Sequence, residues 1–110
     1  MSAPPDGYAA LQKLHPACVL LKEGGVPAVL LQKFSFRAAN IDVTMDLLLY
    51  PSAHSGYTTR LFFERQIAGT ASNWNQHRVA EREWWAPSWQ NVQASLPWPA
   101  MLCAHLRAVA

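Results

Sequence analysis

The stretch Ile41 to Tyr50 limits the possible folds more than any other part of this chain. Val43, Met45, Leu47 and Leu49 alternate with Thr44, Asp46, Leu48 and Tyr50. Side chains of a strand point to opposite faces in turn. The first half therefore puts apolar groups on one face and polar groups on the other. The second half is apolar on both faces, as a central strand covered from both sides requires. A sheet must be built around this strand, so the neighbouring segments are read for sheet partners first.

Two partners precede it. Cys18 to Lys22 and Val29 to Phe36 are apolar runs with Glu23-Gly24-Gly25 between them. Paired glycines accept the positive φ angles of a tight reversal, so these runs form a hairpin with Pro27 at its mouth. A fourth strand is expected from Thr58 to Gln66, with Leu61 and Phe63 on one face and Phe62 on the other. Pro51 to Gly56 and Ala68 to Asn73 read as loops. Before the sheet, Tyr8 to Leu14 has the spacing of a short helix, with Tyr8, Leu11 and Leu14 as its stripe and Pro16 beyond its end. After it, Pro97-Trp98-Pro99 opens a last helix whose inner face carries Leu102, His105, Leu106 and Val109. Gln76 to Trp85 is compatible with either a helix or two short strands. Ser88 is a cap for a short helix reaching Val92. The expected fold is α+β, with an N-terminal helix, a four-stranded antiparallel meander, an irregular Trp-rich segment and a C-terminal helix. Residues 1–6 read as a flexible N-terminus and 7–110 as one domain.

Composition narrows the function. Charged residues are 15% of the chain, against about 25% in an ordinary soluble domain. Part of the surface must then be apolar or aromatic. Four of the five tryptophans, Trp74, Trp84, Trp85 and Trp89, fall close together, with Trp98 soon after. Trp85 and Trp98 are expected in the core, and Trp74 or Trp89 at a contact surface. The net charge of +2 is scattered, which argues against nucleic acid and membrane surfaces as partners. The apolar runs are too short to span a bilayer, and Met1 to Gly7 does not resemble a secretory leader. A cytoplasmic location is expected by default.

Cys18 and Cys103 are expected as buried free thiols. His15, His54, His77 and His105 share no ligand spacing with each other or with cysteine, so neither a metal nor a cofactor is expected. His105, between Leu102 and Leu106, reads as a core histidine satisfied by a backbone carbonyl. Arg78, Glu81, Arg82 and Glu83 read as a solvated face.

From the third strand on, the chain resembles the ubiquitin-conjugating enzymes. Asp46-Leu47-Leu48-Leu49-Tyr50-Pro51 leads through Tyr57 to Arg60-Leu61-Phe62-Phe63, and Trp85-Ala86-Pro87 resembles that family's Trp-x-Pro element. Trp74, His77-Arg78, Trp84-Trp85 and His105-Leu106 resemble features of a short prokaryotic branch found with bacterial ubiquitin-like conjugation or defence systems. The resemblance spans about residues 8–109. It implies binding to a ubiquitin-like protein or its activating enzyme, with Trp74, His77, Arg78, Trp84, Trp89 and His105 as contact residues. It also marks a departure. The thioester cysteine of that family corresponds to His77, and no cysteine lies between Cys18 and Cys103. The nearest string to the family's His-Pro-Asn is His15-Pro16-Ala17. No catalytic residue is therefore assigned. A transfer enzyme using His77 or Cys103, and a structural subunit of an unrelated complex, are the alternatives. Whether the chain forms homo- or hetero-oligomers is left open.

Overall fold

The structure is a computed structural model that describes residues 6–53, 56–67, 73–89 and 92–110 of the 110-residue chain; the side chains of Asp6 and Glu23 are not described. Its order is α1 (Asp6–Leu14), β1 (Cys18–Glu23), β2 (Val26–Ala38), β3 (Ile41–Tyr50), β4 (Arg60–Phe63), β5 (Asn75–Val79), β6 (Arg82–Ala86), α2 (Trp98–Leu106) and a 3₁₀ turn at Arg107–Val109. The class is α+β. All strand pairs are antiparallel and form one six-stranded sheet in the order β1-β2-β3-β4-β6-β5.

The sheet is therefore larger than the expected four-stranded meander. The Trp-rich segment is a hairpin, β5 and β6, rather than an irregular stretch. Of the two alternatives for Gln76 to Trp85, helix or two short strands, the structure has the strands: Gln76 faces Trp85, and His77 faces Trp84. Three tight turns use left-handed backbone. Gly24-Gly25 does so at no steric cost (φ 58° and 84°), whereas Ala39-Asn40 (φ 49° and 64°) and Ala80-Glu81 (φ 51° and 64°) do so with side chains present. β4 is shorter than expected, Arg60–Phe63 rather than Thr58 to Gln66, and the Thr58 and Thr59 hydroxyls just before it donate to the Val92 carbonyl. The expected cap at Ser88 is not used: Ser88, Trp89 and Val92 are outside any helix, while residues 90–91 lie outside the described residues. His54 and most of the 68–73 loop are outside them too.

Both faces of the sheet carry a core. On one, Val29, Leu31, Met45, Leu47, Leu49, Leu61 and Phe63 pack with Leu11 of α1 and Met101 and Leu102 of α2. On the other, Ala28, Leu48, Tyr50 and Phe62 pack with Val79, Trp84 and Ala86 of the β5–β6 hairpin. The period-two pattern explains how Leu47 and Leu49 enter the first core while Leu48 and Tyr50 enter the second. A bulge in β2, where pairing shifts between Leu31 and Phe34, lets Val29, Leu31, Phe34 and Phe36 all join the helix-side core despite their mixed parity. Lys33 sits at the bulge with φ 49°, and its amide donates to Asp46 Oδ1 at 2.8 Å. Arg82 Nη1 donates to Asp46 Oδ2 at 2.9 Å, so β6 is tied to β3.

α1 turns Leu11 inward and packs Tyr8 on the core, but Leu14 is exposed because the helix ends there. In α2 and its 3₁₀ extension, Met101, Leu102, His105, Ala108 and Val109 are buried; Leu106 is only half-buried, and Met101 replaces it on the inner face. The two helices meet at Gly7, where a Cβ would overlap the Trp98 indole. Gly7→Ala is therefore expected to lower stability by about 1–3 kcal/mol through overpacking, measured by urea unfolding. A change below about 0.5 kcal/mol would mean that this helix contact is not close.

Candidate functional site

Arg60, the first residue of β4, is the least expected buried group: it is 4% exposed. Strand pairing with Tyr50 fixes its backbone, and the following apolar run carries it into the molecule. The guanidinium carbon lies 4.1 Å from the Tyr57 ring centroid and 5.7 Å from that of Phe62. Stacking on aromatic faces suits a weakly hydrated, delocalised cation. Nη2 donates to the Pro87 carbonyl at 3.2 Å, joining β4 to the segment after β6. Burial pulls its pKa below the ordinary arginine value, with Tyr57 opposing, but an arginine remains charged.

His105 of α2 is also 4% exposed. Its Nε2 lies 2.8 Å from Thr59 Oγ1, which lies 2.9 Å from the Val92 carbonyl; Thr58 Oγ1 donates to that same carbonyl at 2.7 Å. A hydroxyl has one proton to give, and a carbonyl only accepts. Both contacts of Thr59 are satisfied when its proton goes to Val92 and His105 donates Nε2–H. The histidine partner is thus a hydroxyl rather than the expected backbone carbonyl. Burial, helped by the Arg60 charge, lowers the His105 pKa to about 4, so the imidazole is neutral at physiological pH.

Arg60 and His105 share the lining of a small cavity with Leu61, Phe63, Pro87 and Trp89. Its volume is about 10 Å³, room for roughly one water-sized group. Trp89 is 36% exposed, and its Nε1 donates to the Ala104 carbonyl at 3.0 Å, which pins the indole to α2.

The residues expected at a single contact surface lie in different places. Trp89 and His105 meet at this cavity. Trp74 is half-buried against Phe63 on the helix-side core, with centroids 5.3 Å apart. His77 is half-buried on β5, edge-on to Phe62 at 5.6 Å. Arg78 is exposed and pairs with Glu83 at 3.3 Å. Trp84 corrects the expectation: it is 1% exposed, donates Nε1–H to the Val79 carbonyl at 3.1 Å, and belongs to the core. Trp85 and Trp98, expected in the core, are half-buried instead. The parity of β6 decides this, since Trp84 faces the second core and Trp85 alternates away from it.

The two thiols also differ. Cys18 is buried, and that burial raises its pKa, which disfavours the nucleophilic thiolate. Cys103 is exposed, contrary to expectation, and lies beside Phe36, Arg37, Leu106 and Arg107. Among the described residues, no group of three or more His, Cys, Asp or Glu side chains is placed to hold a metal, and no helix is long and apolar enough to cross a membrane.

Sequence reasoning passed over Arg60, Thr59 and Val92 as site residues. Arg60 did carry a signal, a cation directly before Leu61-Phe62-Phe63. The Val92 carbonyl carried none, because its role depends on chain segments far apart in sequence. Comparison with protein-family models, curated proteins and solved structures gives no match to this chain.

Proposed function

We propose that this chain is a non-catalytic, ubiquitin-conjugating-enzyme-like protein of a bacterial ubiquitin-like conjugation or defence system. In this reading it binds a ubiquitin-like modifier or its activating enzyme and forms no thioester. The supporting observation is the environment of His77, which stands where the resemblance expects the cysteine. Its strand is paired, its cross-strand partner is the core residue Trp84, and its ring packs edge-on against Phe62. The likeness rests on Asp46 to Pro51 at the end of β3, Tyr57, Arg60 to Phe63 in β4, Trp85-Ala86-Pro87 at the end of β6, and Trp74, His77-Arg78, Trp84 and His105-Leu106. Trp89, part exposed and pinned by Ala104, is the aromatic anchor of the proposed contact.

The test is capture of a purified ubiquitin-like modifier, and separately of its activating enzyme, from the native host. Wild type and the Cys18→Ala/Cys103→Ala double variant are expected to bind within about twofold of each other. Trp89→Ala is expected to weaken capture tenfold or more, as loss of a central aromatic anchor does. A modifier joined to Cys103 by a thiol-labile bond, or capture of neither protein by wild type, would overturn the reading.

A further inference from the structure

We propose that β1, an outer strand of the sheet, is the contact by which two copies of this chain join, antiparallel about a two-fold axis, so that their sheets become one. The inference does not depend on the reading above. Among the described residues, β1 and β5 are the two edges of the sheet. An open edge offers unpaired backbone groups to another strand, and proteins guard it with charge, proline or bulges. β5 carries Asn75, Gln76 and Arg78. β1 has no such guard over Val19-Leu20-Leu21: the run is uncharged, its pairing with β2 is regular, and Val19 is 39% exposed.

Two observations fix which backbone groups face outward. The Gly24-Gly25 turn, with positive φ at both positions, closes on Glu23 and Val26, a pair that exchanges both backbone bonds in such hairpins. Alternation then turns Glu23, Leu21 and Val19 towards β2, and Lys22, Leu20 and Cys18 towards the open side. Independently, the Cys18 amide donates to the His15 carbonyl at 3.0 Å, and the Cys18 carbonyl accepts from Tyr8 Oη at 3.4 Å. Among the described residues, nothing bonds to the outward groups of Leu20 and Lys22.

A two-fold axis at Leu20 uses these groups. Leu20 exchanges both bonds with Leu20 of the second copy, and the Lys22 amide donates to the Cys18 carbonyl, which has a second lone pair to offer. Directly opposite residues share a face, so Val19 meets Leu21 and Leu20 meets itself. The two Lys22 residues fall at opposite ends of the contact, about 13 Å apart along the strands, so no like charges meet. A space of about 290 Å³ between Leu21, Lys22 and the turn residues Ala80 and Glu81 gives Val19 of the second copy room beside Leu21. The next two-fold register, centred on Leu21, would instead set Lys22 opposite Leu20 and Val19 opposite Glu23, matching charged residues with apolar ones. One strand is a small contact, so the dimer is weak, with a dissociation constant on the order of 10–100 µM.

The experiment is sedimentation velocity of the full chain at pH 7, from tenfold below to tenfold above that range, with amide hydrogen exchange measured at both ends. Wild type is expected to pass from monomer to dimer. The Leu20 and Lys22 amides should gain protection at least threefold with concentration, while those of Val19 and Leu21, already bonded to β2, stay unchanged. Val19→Lys sets a charge against Leu21 of the second copy and is expected to weaken association tenfold or more, whereas Val19→Ile keeps it. Should Val19→Lys fail to fold, the wild-type protection pattern decides. A monomer at every concentration, which would leave the edge to a strand of another protein, would overturn the assignment. So would protection gained elsewhere than at Leu20 and Lys22, or a dimer retained by Val19→Lys.

Discussion

Trp84→Ala is expected to lower the free energy of unfolding by about 3–5 kcal/mol, the range for removing a large aromatic side chain from a core. Trp84 is the largest fully buried side chain, and the second core is built around it. Its loss removes three things at once: packing against that cluster, the hydrogen bond to Val79, and the ring beneath the Arg82 guanidinium, whose carbon lies 4.4 Å from the centroid. Among the described residues, β6 pairs with β4 at Phe63 and Trp85, so much of the hairpin's attachment comes from side chains. Arg82 supplies one further tie, through Asp46. Urea unfolding followed by circular dichroism gives the magnitude. Hydrogen exchange gives the location: β5 and β6 amides should lose protection while β1 to β3 keep theirs. Trp84→Phe should cost much less, because most of the packing survives. A loss under about 1 kcal/mol for Trp84→Ala would show that the hairpin does not cover a true core.

The second large effect is on acid stability and comes from His105. An unfolded histidine takes up its proton near pH 6.5, whereas the buried imidazole does so only at about pH 4. Protonation between those values therefore favours the unfolded chain. The stabilisation is complete above about pH 6.5 and is lost as pH falls towards 4, by about 3 kcal/mol in total. Asp46 acts at lower pH. Burial alone would raise its carboxyl, but the Lys33 amide and Arg82 outweigh that and hold it below its ordinary value. Its stabilisation is thus lost only at the acid end, beneath the His105 window. Unfolding free energies at pH 7 and pH 4.5 separate the two. His105→Gln keeps a donor for Thr59 and cannot titrate, so its pH dependence across that interval should be flatter by about 2 kcal/mol. Equal slopes in wild type and variant would sink the assignment.

Local chemistry explains the parts of the fold that could be read in advance. Gly24-Gly25 marks its own turn, and the alternation in Ile41–Tyr50 reports both covered faces of β3. α1 and α2 are announced by spacing and by the prolines at their ends. The β5–β6 hairpin gives no such notice. Its turn, Ala80-Glu81, adopts left-handed backbone without glycine or asparagine, and the burial of Trp84 and Val79 together once the strands pair offsets that strain. Neither segment can signal an arrangement whose stability belongs to the pair.

The candidate site divides in the same way. Trp89 at a surface was legible because a chain poor in charge and rich in indole must expose some of it. The choice of Trp84 over Trp85 for the interior was not, since it turns on the register of β6 against β5 and β4. Arg60 was visible as a cation before an apolar run, but its burial, its stacking on Tyr57 and its bond to Pro87 depend on three segments meeting. Likewise His105 was legible as an inward residue of α2, while the Thr59 hydroxyl that receives its proton comes from β4's approach and is oriented by Val92. Periodicity and turn residues act between neighbours in the chain, so they carry strands and helices. Burial of a charge and the partner of a hydrogen bond are properties of distant segments in contact, and only tertiary packing decides them.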